Sequence, residues 1–161
     1  MRIGEVDPAG AIICQYLSGS AAPSPVGRIG LPGGGSGGTA YIDMMAEIGG
    51  ALGKVKKEEA RLTGKSTKYN ILVRRWANYM LMVQHRNALK SAEKQALLAL
   101  RACEAGVDCL SVLQEQEEAV LHERAAYKKH KKENDRLRRS PLYLKMMGIF
   151  AEELERRGIW T

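Results

Sequence analysis

Apolar residues recur along most of this chain at intervals of three and four, the period of helices that bury one face. Ile42, Met45, Ile48, Leu52, Val55 and Leu62 form the first such stripe and predict a short amphipathic helix over 41–62. Gly49, Gly50 and Gly53 weaken it by about 1 kcal/mol each relative to alanine, and they also allow a neighbouring backbone to come close. Thr63-Gly64 breaks the pattern, and Ser66 or Thr67 can cap the next helix. That helix carries Tyr69, Leu72, Trp76, Tyr79, Met80 and Val83, then Leu89, Ala92, Ala96, Leu100 and Cys103. Gly106 suits the left-handed residue beyond a helix end, and Asp108 suits the cap of a returning helix over 109–139. The returning helix has a thin seam: Leu110, Leu113, Val120, Tyr127 and Leu137, with Asn134 on the same line. Ser140-Pro141 is a strong start signal for a last helix, striped by Tyr143, Met146, Met147, Phe150 and Leu154. Gly158 can end it, leaving Ile159 and Trp160 as an apolar tip.

These elements predict an all-α fold. A short helix (41–62) precedes a long antiparallel, coiled-coil-like helical hairpin (66–139, turn near 106–108), and a C-terminal docking helix follows (140–161). Short connections between long helices favour antiparallel neighbours. Residues 1–40 are a different material, with 10 of the 17 glycines, four of the five prolines and four charged residues, which reads as an extended tail and linker. Gly33 to Gly38 has the composition of a linker, natural or introduced. If the tail orders, Ile12, Ile13, Tyr16 and Leu17 are its anchors into a partner.

Aromatic residues make up only 6% of the 161, so the core must be aliphatic, and with few β-branched runs this argues against an all-β fold. No stretch approaches the roughly 20 apolar residues of a membrane-spanning helix. Three cysteines, Cys14, Cys103 and Cys109, do not make a disulfide framework. Free thiols in a reducing intracellular setting, cytoplasm or organelle matrix, are the expectation, with Cys103 and Cys109 as a buried pair near the turn. Glu5, Asp7 and a broken apolar run argue against a secretory or mitochondrial leader.

Lys and Arg exceed Asp and Glu by 25 to 18. The excess is concentrated: 54–75 and 124–139 each carry eight basic and two acidic residues. Folding the hairpin about Gly106 brings the two blocks toward its open end, whereas Lys90 and Lys94 fall opposite Glu115, Glu117, Glu118 and Glu123. Such a pole suits a polyanion, bound through phosphates and not through bases, by Arg74, Arg75, Lys128, Lys129, Lys131, Lys132, Arg136, Arg138 and Arg139. Tyr143, Met147, Phe150, Leu154 and Trp160 are the candidate partner-docking residues.

Motifs of catalysis fail on inspection. Thr63-Gly64-Lys65-Ser66-Thr67 ends like a phosphate-binding loop, but Glu59 stands where its first glycine is required. Gly33, Gly35 and Gly38 lie in a run that is almost all glycine, with no βαβ unit around it. His122-Glu123 opens a zinc-protease pattern that Ala126 closes off. No catalytic residue, cofactor or metal is expected, and no small-molecule substrate. The expectation is a non-enzymatic structural subunit of a multiprotein or ribonucleoprotein assembly, its arms packed on protein neighbours and its basic pole on RNA or an acidic subunit. Small basic helical chains of this kind occur, by analogy, in organellar ribosomes and respiratory assemblies. Alternatives are a helical component of a virion or secretion machine, and a peripheral membrane protein using 41–62, with Met44, Met45, Ile48 and Leu52 inserted.

Overall fold

The computed structural model describes residues 7–19 and 37–159. Its helices are α1 Pro8–Ser18, α2 Gly37–Thr63, α3 Ile71–Glu104, α4 Leu110–Arg139 and α5 Pro141–Arg156. No strand occurs among the described residues. The chain divides into two units, 1–77 with 136–161, and 78–135.

The first helix corrects the expectation of an extended tail. Asp7 accepts a hydrogen bond from the Gly10 amide at 2.7 Å, Pro8 occupies the first turn, and Gly19 ends the helix at φ 60°. These are ordinary start and stop signals, which overcome the unfavourable composition around them. Ile12 and Ile13 are buried within the first unit itself, so they are not free to anchor a partner. Residues 1–6 and 20–36, including the first part of the glycine run, lie outside the described residues, as do Trp160 and Thr161.

In the same unit α2 packs on α5, and α1 packs on both. The buried face of α2 is Met44, Ile48, Ala51, Leu52, Val55 and Glu59, rotated from the expected stripe, so that Ile42 is 67% exposed. Gly49 lets the Tyr16 ring of α1 lie against α2. Trp76 is buried, and Gly10 lies against its indole so closely that a Cβ would fall 2.1 Å from a ring carbon.

The start of α3 differs from the expected cap. Asn70, not Ser66 or Thr67, takes that role: its Oδ1 accepts from the Val73 amide at 2.9 Å while its Nδ2 donates to the Leu52 carbonyl at 3.1 Å. A single side chain thus caps α3 and ties it to α2, which no local cap could do. Beside it the buried Glu59 accepts from the Ile71 amide (2.7 Å), Thr67 Oγ1 (3.2 Å) and Arg74 (3.2 Å). A carboxylate at a helix N-terminus is favoured both by the unpaired amides and by the helix dipole.

Glu153 on α5 is the second buried carboxylate. It receives Arg156 at 2.7 Å, and Lys54 and Arg157 at 3.1 Å each. Arg156 first, then Lys54 and Arg157, hold its carboxyl down at about 2 from the ordinary 4.5, against the opposing effect of burial.

In the second unit α3 and α4 run antiparallel as a hairpin. Gly106 closes α3 at φ 86°, with the Val107 amide donating to the Ala102 carbonyl and the Gly106 amide to Cys103. This is the double-bonded glycine stop that the sequence pattern implied. The first carbonyl of the α4 ladder belongs to Cys109, with Asp108 one residue outside. Cys103 and Cys109 are joined as a disulfide across the turn, which corrects the expectation of a reduced pair. The buried side chains of this unit are Ala92, Ala99, Cys109 and Asn134, none of them large. Leu110 and Leu100, expected in the seam, are 61% and 44% exposed. No helix among the described residues is long and apolar enough to cross a membrane.

Two outcomes follow from this packing. Gly10→Ala forces the indole of Trp76 to shift and lowers unfolding stability by about 1–3 kcal/mol, measurable as the urea midpoint. Glu153 carries fewer protons folded than unfolded. Its stabilisation is therefore complete above about pH 4.5 and is lost as the pH falls toward 2. Glu153→Gln lowers the urea midpoint at neutral pH, and its difference from the native chain closes at the acid end of that window.

Candidate polyanion-binding helix and an imidazole pair

The proposed phosphate contacts separate into two groups. Arg75 is 7% exposed; its guanidinium lies 3.5 Å over the Trp76 ring and reaches the Tyr143 hydroxyl at 3.4 Å. A cation stacked on a buried indole belongs to the core, and Arg75 is not placed to meet a phosphate. Arg74 is spent on Glu59. Burial, the larger influence, pushes the Tyr143 hydroxyl up despite the Arg75 charge beside it.

The remaining candidates lie on α4, and all are exposed. Lys131 is paired with Asp135 at 2.9 Å. At 100° per residue, Lys128, Lys129, Lys132, Arg136 and Arg139 share about one third of the helix circumference. From Lys128 to Arg139 the stripe runs about 16 Å along the axis.

The docking candidates fare differently. Tyr143, Phe150 and Leu154 are buried inside the first unit and Met147 is half-buried, so this stripe docks on the chain's own core. The apolar face of α2 is likewise committed, with Met44, Ile48 and Leu52 buried, leaving little of it to enter a membrane.

Sequence reasoning missed one cluster in the second unit. The rings of His85 (α3) and His130 (α4) stack with centroids 5.4 Å apart and planes 3° apart. His85 Nδ1 is bound to the Glu123 carboxylate, and His130 Nδ1 donates to Asn78 Oδ1 at 3.0 Å. Desolvation, then His85 and Lys129, hold the His130 imidazole below its ordinary 6.5. Folding about Gly106 would have paired His85 with residue 127, within one turn of His130, so the signal lay in the hairpin register and not in any local spacing. Among the described residues no group of three or more His, Cys, Asp or Glu is arranged to hold a metal ion.

Family models, curated proteins and solved structures were all compared with the chain, and none matches.

His130 gives the hairpin an acid limit. His130 binds fewer protons folded than unfolded. Its neutral form contributes full stability above about pH 6.5, and that contribution falls away as the pH drops further. Thermal unfolding of the native chain loses stability from pH 7 to 5, whereas His130→Gln flattens that limb.

Proposed function

We propose that this chain is a non-enzymatic structural subunit that binds a nucleic-acid backbone through the outward stripe of α4. The supporting observation is the grouping of Lys128, Lys129, Lys132, Arg136 and Arg139, all exposed, on one sector of one helix. Cations spread over about 16 Å fit successive phosphates of a strand, and neutralising them releases condensed counterions. Among the described residues no base-reading element accompanies the stripe, and contacts to phosphates alone carry no sequence information. The small side chains buried between the hairpin arms support the other half of the reading, that the hairpin gains order from what it binds.

Fluorescence anisotropy with labelled polyuridylate tests this at several salt concentrations. Four neutralised phosphates give a slope of about −3 in log K against log salt for a single strand. Lys128→Ala with Lys132→Ala and Arg139→Ala weakens binding and reduces that slope. Affinity unchanged in the triple variant, or no binding at low salt, overturns the proposal.

A further inference from the structure

α4 is electrically divided. Residues 110–123 carry Glu115, Glu117, Glu118 and Glu123 and no Lys or Arg, while 124–139 hold eight basic and two acidic residues. Glu115, Glu117 and Glu118 are exposed and make no ion pair among the described residues. Lys128, Lys129 and Lys132 share both properties.

The outward face has a second regularity. Gln114, Glu118, Leu121, Ala125, Lys128 and Lys132 follow at intervals of four, three, four, three and four, and every one is exposed. That is the heptad spacing of a two-helix seam, facing away from α3. It is also palindromic in chemistry. A second α4 laid antiparallel, with its two-fold axis level with residue 123, sets Leu121 against Ala125. The next layers pair Glu118 with Lys128, and Gln114 with Lys132. On the flanks, Glu115 meets Lys129 and Glu117 meets Lys131. Leu121 is 64% exposed, and beside the seam it lines an open groove of about 410 Å³ with Ala96 and Val120. Arg124 flanks the axis, where Glu93 of its own hairpin lies 3.9 Å away.

We infer that the outward face of α4 is a self-association surface, and that its occupant is a second copy of this chain, paired antiparallel about residue 123. The self-complementary charge carries the choice of partner, because an isologous contact requires one surface to satisfy itself. The overlap from 114 to 132 is about 27 Å long with one apolar layer at its centre. Exposed ion pairs contribute little singly, so the dimer is weak and dependent on salt and concentration. This inference does not rest on the nucleic-acid reading. The two occupants share Lys128, Lys129 and Lys132, and so they compete.

Sedimentation equilibrium of the full chain tests it. The native chain gives twice the 17.7 kDa monomer mass at low salt, and its dissociation constant rises about tenfold on moving to salt that shortens the screening length to a few ångströms. The variant E115K/E118K and the variant K128E/K129E are each monomeric, since each sets like charges against like. Mixed in equal amounts they form a heterodimer, because both ends of the pairing are then complementary. Recovery on mixing also shows that neither variant has misfolded. Leu121→Gln weakens every combination. Polyuridylate dissociates the native dimer, whereas a chain that dimerises but ignores polyuridylate retains this inference and loses only the nucleic-acid reading. A native chain that is monomeric at low salt and high concentration, or variants that dimerise separately as well as together, overturns it.

Discussion

Two long helices that meet through alanines remove little apolar surface from water. In residues 78–135 the fully buried apolar side chains are Ala92 and Ala99, apart from Cys109 at the turn, while Leu89, Leu113, Val120 and Tyr127 are only half-buried. At about 25 cal/mol per Å² such burial yields far less than a layer of leucines. The hairpin therefore leans on directional contacts: the stacked imidazoles, the His85–Glu123 bond, and the covalent bridge at the turn. Directional contacts specify register well and supply stability poorly.

The other unit solves the opposite problem. It has a large core, with Trp76, Phe150, Ile48, Leu72, Met146 and Leu154 fully buried, and it encloses several charges. Each of those charges is answered. Glu59 takes a helix amide and Arg74, Glu153 takes three cations, and Arg75 rests on an aromatic face. A buried pair is costly when half of it is removed, more than it is favourable when whole. These pairs consequently lock the arrangement of α2, α5 and the first turns of α3. They also consume basic residues that sequence counting assigns to the surface, Arg74 and Arg75 among them.

Much of this was legible from the residues. The hairpin, its glycine stop at 106 and the proline-led start of α5 rest on local stereochemistry that reads the same in any context. The misreadings share one cause. The face a helix buries is decided by its neighbours, so the buried face of α2 lies a fraction of a turn from its periodic stripe and Arg75 lies in the core. Asn70 is not legible as a cap from local sequence, because half of its role is a bond to Leu52, eighteen residues away. Asp7-Pro8 and Gly19 are local start and stop signals, set in a segment whose glycine and proline content reads as extended chain. His85 and His130 became neighbours only once the two arms were aligned residue by residue.

The bridge between Cys103 and Cys109 closes a loop with a sequence separation of only six, so it removes less chain entropy than a bridge across a long loop would. Its mechanical effect is larger. Parallel rods held together only by side chains can ratchet past one another by a helical turn, about 5.4 Å, exchanging one set of neighbours for the next. The covalent bridge, set beside the turn that already joins the arms, restricts that translation further and favours splaying, like tongs opening about their hinge. Backbone turn and bridge together join the arms twice at one end, so the two can part only from the other.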